Sequence, residues 1–201
     1  MAEQVARSAG DGRLRRSARS KQRIADALFE LVGEGHLSPA AQLVADRAGI
    51  GIRTVFRHFE DMDALYATTS TRLDLEIAPI LRLGPADGAT LEERVEAMVE
   101  HRATLYERCS PYIRANHRLR DRSEFLAGRF RQLVLQLREL LLRWLPELHD
   151  ASPELVEALD QSTSFEAWDR LRIDQQLSRA RAQASMHFAA SALVAQLDDS
   201  R

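Results

Sequence analysis

Residues 38–59 read SPAAQLVADRAGIGIRTVFRHF, and this stretch decides the fold. It predicts two short helices meeting at a tight angle. The first begins after Ser38, whose hydroxyl can cap the leading amides, with Pro39 at the first helical position, where a missing N–H is harmless. Its inner face carries Val44, Ala45 and Ala48. Gly49 falls where the turn needs an unhindered backbone, and Ile50 plugs the corner. The second helix, from about Ile52, turns Val55 and Phe59 inward and Arg53, Thr54, Arg57 and His58 outward. Small Ala45 allows close approach of the two helices. Together these residues specify a helix-turn-helix, whose second helix enters a DNA major groove.

The residues that follow strengthen this reading. Residues 53–66, RTVFRHFEDMDALY, resemble the signature of the tetracycline-repressor-like (TetR) family of bacterial regulators. In that family the recognition helix ends in an aromatic–x–x–Phe motif and leads directly into a fourth helix. The resemblance covers roughly Ile24 to Tyr66, followed by a helical remainder of suitable length. It departs from the family pattern at three positions. Phe56 stands where tyrosine is common and cannot bond a phosphate. Met62 replaces the usual lysine at the start of the fourth helix, and Ala40 occupies a commonly hydroxylated position, leaving Ser38 as a substitute. These departures remove up to two backbone contacts and should flatten the salt dependence of binding.

Bulk properties fit one sizeable core or two small domains: 201 residues, 45% hydrophobic and 29% charged. No apolar run approaches membrane-spanning length, and no apolar signal core opens the chain. A single cysteine, Cys109, excludes an intrachain disulfide framework, so the expected location is a reducing cytoplasm. The net charge of −2 hides an uneven distribution. Residues 1–60 hold ten Arg/Lys against seven Asp/Glu, and the remainder eighteen against twenty-three. Attraction to phosphate is therefore concentrated at one end.

Along the chain, residues 1–16 are small, polar and basic without periodicity, and read as a flexible basic arm. Residues 17–60 read as the helix-turn-helix domain, and the resemblance implies that residues 61–201 are a helical ligand-binding and dimerisation domain. A first helix over about Ser17–Val32 carries Ile24, Ala27, Leu28, Leu31 and Val32 as one apolar stripe. Arg15, Arg16, Arg19, Lys21 and Arg23 lie at its start, where the resemblance places a basic arm near the minor groove or the backbone. A fourth helix runs over about Asp61–Arg82. Gly84–Ala89 is the clearest linker, and Thr90 to Glu93 forms a capping box that starts a fifth helix. Ser110–Pro111 opens a short sixth helix, and about Ser123–Leu145 forms a strongly apolar seventh that includes Val134. Ser152–Pro153 starts an eighth helix reaching Leu171, and a last helix rich in alanine follows Asp174 or Ser178. The fold class is all-α, with about nine helices.

The expected DNA-binding residues are Arg19, Lys21, Ser38, Arg53, Thr54, Phe56, Arg57 and His58. Arg53 can donate two hydrogen bonds to a guanine edge, or instead hold a phosphate, which would position without specifying. Arg57 and His58 suit phosphate contact or packing at the helix end. Ser38 lies where backbone amides can meet a phosphate. The resemblance places a ligand pocket inside the second domain, for which the apolar faces nominate Met98, His101, Arg102, Leu105, Ile113, His117, Phe130, Phe165 and Trp168. Ordinary core packing competes with that role at each of them. His101 and His117 are sixteen residues apart, which is no metal-ligand spacing, so no metal or other cofactor is expected. The chain carries no Gly-rich phosphate loop, nucleophile elbow or His–Glu metal pair, and an enzyme is not expected.

The resemblance implies a regulator working as a two-fold homodimer through its last two helices, bound to double-stranded DNA at a palindromic operator. A small-molecule effector in the second domain would release it. The competing expectation is a TetR-like fold given over to protein interaction, with DNA binding weakened at Phe56 and Met62.

Overall fold

In the computed structural model, backbone is described for residues 2–197 and side chains from Arg15 onward. All regular structure among the described residues is helical. It comprises α1 (Ala2–Gly33), α2 (Ala41–Ala48), α3 (Ile52–His58), α4 (Met62–Leu81), α5 (Leu91–Leu119), α6 (Glu124–Trp144), α7 (Pro153–Ser162), α8 (Phe165–Asp169) and α9 (Arg179–Val194). The chain divides into two compact units. One contains Met1–Glu76 and Pro111–Phe130, the other Ile77–Ser110 and Arg131–Arg201. The first unit thus extends past residue 60, taking in most of α4 and the end of α5.

The first unit is built on the stripe of α1. Ile24, Ala27, Leu28, Leu31 and Val32 are buried with Val44, Ala45, Ala48, Val55, Phe59, Leu65 and Ala115 in one core. Three- and four-residue spacing places these α1 side chains over successive turns of one face, so a single helix braces both α2 and α3. Phe29 stacks on Tyr112 with ring centroids 4.5 Å apart, and the Arg72 guanidinium lies 4.1 Å from the centre of the same phenyl ring. Arg72 also donates to Asp26 Oδ1 at 2.7 Å.

The second unit packs α7 and α8 against α9. Its helices start as their sequences require. Thr90 and Glu93 form the reciprocal capping box, with Thr90 N donating to Glu93 Oε2 at 2.8 Å and Glu93 N to Thr90 Oγ1 at 3.3 Å. Ser152, Ser164 and Ser178 each accept an amide hydrogen bond as N-caps of α7, α8 and α9. On α9 the buried residues Ala182, Met186, Ala190 and Val194 recur every four positions, leaving the opposite face on solvent.

Several elements differ from the sequence-based expectation. Helix α1 begins at Ala2 rather than near Ser17, so the stretch read as an arm is helical from that residue; its Ala and Arg content and lack of proline favour helix despite Gly10 and Gly12. Met1 lies outside the described residues. The expected fifth and sixth helices are one, α5, with Pro111 inside it. Proline costs the helix one backbone bond. Burial of Tyr106, Cys109, Ile113 and Ala115 on either side outweighs that loss, and Ser110 Oγ donates to Tyr106 O at 2.6 Å. The expected eighth helix is two, because the backbone leaves helical geometry at Thr163 and Ser164 restarts it. Val134, read as part of the α6 stripe, is 41% exposed. The stripe is wider than the face its neighbours cover.

A π-helical turn over Arg170–Asp174 leads into Gln176, whose φ of 53° is left-handed for a residue bearing a Cβ. That conformation costs about 1–2 kcal/mol, and glycine removes the cost while adding about 0.5–1 kcal/mol of unfolded-chain entropy. Gln176→Gly is therefore expected to raise stability by about 0.5 kcal/mol, seen as a higher urea midpoint at unchanged slope.

Candidate nucleic-acid interface

The angle between α2 and α3 is set at Gly49. Its φ of 63° and ψ of 42° are left-handed, its amide donates to Asp46 O at 3.0 Å, and Ile50 N closes back on Ala45 O at 3.0 Å. Together these satisfy the last carbonyls of α2, as glycine at a helix C-terminus commonly does. A cation completes the turn. The Arg23 guanidinium donates to the Ala48 and Gly49 carbonyls, placing positive charge at the negative end of α2. A Cβ added to Gly49 would lie 2.9 Å from Arg23 Nη2, the movable end of a long side chain, so the left-handed φ is what reserves the position for glycine. Arg23, grouped by sequence with a phosphate-facing arm, is engaged by this turn instead.

Helix α3 then buries Val55 and leaves Arg53, Phe56 and Arg57 exposed, with Thr54 half-buried. Arg53, Phe56 and Arg57 stand at positions i, i+3 and i+4, and so share one face. Arg19, Arg53 and Arg57 are exposed and have no ion-pair partner among the described residues. Other cations of this unit are engaged: Arg47 grips Glu34 with two bonds of 2.7 Å, and the Lys21 ammonium sits 5.4 Å over the Phe59 ring. His58 is half-buried, and burial, with Arg57 and Lys21 adding to it, pushes its pKa below the ordinary histidine value. The imidazole is thus neutral near pH 7, and the positive field of the face comes from the arginines.

The start of α2 differs from the sequence-based expectation. Ser38 is exposed but does not cap the helix, and Pro39 is not its first residue. The helix begins at Ala41 behind Ala40, which has no side-chain cap, so the leading amides of α2 have no hydroxyl partner from the chain. Pro39 is buried instead, ahead of the helix. At the start of α4, Asp61 Oδ1 accepts from Ala64 N at 2.8 Å, while Met62 packs against the core of the first unit. Met62 is thus partly buried against that core, whereas Asp61 orders the α3–α4 corner.

The nine residues nominated for a ligand pocket fall in both units. Ile113, His117 and Phe130 belong to the first unit, where the His117 and Phe130 rings meet edge to face at 4.6 Å. Met98, His101, Arg102, Leu105, Phe165 and Trp168 belong to the second unit and are buried. There they pack on one another and their neighbours: Tyr106 sits edge-on to Phe165 at 5.7 Å and tilted to Trp168 at 6.4 Å. Burial pushes the Tyr106 pKa up to about 12, so the phenol stays a donor. His101 Nε2 bonds the Ile80 carbonyl at 2.7 Å, which fixes that nitrogen as the protonated one. Burial lowers its pKa, and the ring is a neutral core group.

A cleft of about 450 Å³ in the second unit lies elsewhere, lined by residues 85–89 of the linker together with Glu93, Arg94, Ala97 and Trp144. None of the nominated residues lines it. Arg94 forms its polar edge, donating to both oxygens of Glu147 and to Trp144 O at 3.1 Å. Among the described residues no His, Cys, Asp or Glu cluster could hold a metal ion, and no helix is long and apolar enough to cross a membrane.

No family model matches the chain, and no curated protein does. Among solved structures, it is similar to the crystal structure of a transcriptional regulator from Rhodococcus sp. Rha1. The match has a TM-score of 0.68, covers 88% of this chain and 96% of that one, and has 19% sequence identity. The two chains share a fold.

Local periodicity located the turn and the outward face of α3 in the sequence. It did not reveal Arg23 as the cap of α2, which depends on a contact 25 residues away. Nor did it reveal the Arg94–Glu147 edge of the cleft, 53 residues apart along the chain. The usable signal for Arg23 was its position in the first helix one residue ahead of the buried Ile24, too near the core for an extended arm.

Proposed function

We propose that the chain is a TetR-like transcriptional regulator that binds double-stranded DNA as a two-fold dimer in the cytoplasm and has no enzymatic activity. The observation that carries this is the exposed face of α3, with Arg53 and Arg57 unpaired beside Thr54 on a helix whose angle is fixed by Gly49. A helix held this way can enter a major groove, and one such helix spans only a few base pairs, so specific binding calls for two. The likeness in fold to a transcriptional regulator supports the reading. Repression relieved by a small effector in the second unit is the finer form of it. The cleft beside Trp144 and Arg94 offers room for an effector of modest size, and none of the nominated residues lines it. Such an effector acts only as far as it prefers one arrangement of the chain over the other.

Selection from random duplexes is expected to enrich an inverted repeat. On the selected duplex, Arg53→Ala is expected to weaken binding by about 1–3 kcal/mol and to relax preference at one position per half-site. Equal loss on every sequence would make Arg53 a phosphate clamp instead. Failure to bind any duplex, even at low salt, would assign the α3 face to a protein partner.

A further inference from the structure

Phe56 is 52% exposed on α3. It stands three residues after Arg53 and one before Arg57, so the ring lies one helical turn from Arg53, on the exposed part of α3 that also carries Arg57. The ring offers no hydrogen bond to a phosphate and takes no part in the core, which α3 reaches through Val55 and through Phe59 at its end. An exposed apolar group beside two cations suits a surface that is itself anionic yet carries apolar points. The major-groove edge of duplex DNA is such a surface, and there the thymine C5-methyl is the one apolar group that differs between base pairs.

We propose that Phe56 is a specificity-determining residue that reads a thymine methyl in each half-site. The inference rests on the reading of α3 as a DNA-contacting helix, and extends it from hydrogen-bonding recognition by Arg53 to apolar recognition by its neighbour.

The test uses the full chain and the selected duplex. Each thymine is replaced in turn by uracil, which deletes the methyl and leaves every hydrogen-bonding group unchanged. One position per half-site is expected to show a loss of about fourfold, and about fifteenfold when both half-sites are changed, as expected for burying one and two methyl groups. Phe56→Ala is expected to bind the thymine and uracil duplexes alike, while Phe56→Tyr, which keeps the ring, retains the discrimination. Thermal unfolding checks that both variants fold. If the unmodified chain binds all uracil duplexes as tightly as thymine ones, the proposal falls while DNA binding stands. It falls equally if Phe56→Ala keeps the uracil penalty, since another residue would then meet the methyl. Absence of binding to any duplex would overturn the DNA-contacting reading itself.

Discussion

Arg102→Ala is expected to destabilise the second unit by about 3–5 kcal/mol, the usual loss when one member of a buried charge network is removed. Arg102 is 1% exposed, and its guanidinium ties α5 to α6 and to the end of α7. Nη1 donates to the carbonyl and the hydroxyl of Thr163 at 2.8 and 2.9 Å, and Nη2 to the Leu137 carbonyl at 2.8 Å. Asp160 Oδ1 lies 3.4 Å from Nη2 and supplies the opposite charge. Tyr106 adds its hydroxyl to the same Thr163 carbonyl at 2.9 Å. Alanine would strip these bonds and open a cavity in the core that holds Met98 and Leu105, and the two losses add. Arg102→Met fills most of the volume and is expected to lose less than alanine, which separates packing from bonding. Arg102→Lys keeps the charge but lacks the planar fork, so it should fall nearer alanine. Both tryptophans, Trp144 and Trp168, belong to the second unit, so urea unfolding followed by their fluorescence reads it directly. If Arg102→Ala unfolds within about 1 kcal/mol of the parent, taken from midpoint and slope, the network contributes little.

The same network explains where the sequence stopped being legible. Apolar periodicity gave the helices and the α1 stripe, because burial of one face imposes a spacing that needs no knowledge of the partner. Gly49 announced its turn for a similar reason: its left-handed backbone is a local demand. The break at Thr163 is not local. It is held by Arg102 and Tyr106 from positions 61 and 57 residues earlier, and the apolar pattern of Leu159, Phe165 and Trp168 runs on through it as if the helix continued. Pro111 misled in the opposite sense, since its local signal ends helices but burial on both flanks carries α5 past it. Among candidate site residues, the outward set of α3 could be read because exposure opposes the core period. The pocket set could not: Met98, Leu105, Phe165 and Trp168 look the same in sequence whether they line a cavity or fill a core, and all four are buried.

Phe188→Glu is expected to turn the proposed dimer into a folded monomer. Phe188 is 77% exposed on α9, on the side opposite Ala182, Met186, Ala190 and Val194. Its exposed neighbours along that side, Ala184, Ser185, Ala192 and Ala195, are small, so a second helix can come close and seat the ring between them. In a two-fold pair each contact occurs twice. Burying one phenyl ring is worth about 1.5–3 kcal/mol, so two contribute about 3–6 kcal/mol and their loss weakens association by about 10²- to 10⁴-fold. Glutamate adds two desolvated charges to the same interface and widens the gap. Sedimentation at micromolar concentration should show the parent as a dimer and Phe188→Glu as a monomer, with helical circular dichroism unchanged because the side chain lies outside the core. Binding to an inverted repeat should fall with it, since a single α3 is left to hold the duplex, whereas Arg53→Ala should weaken DNA binding and leave the dimer intact. A parent chain that sediments as a monomer, or a Phe188→Glu chain that stays dimeric, would place the pairing surface somewhere other than α9.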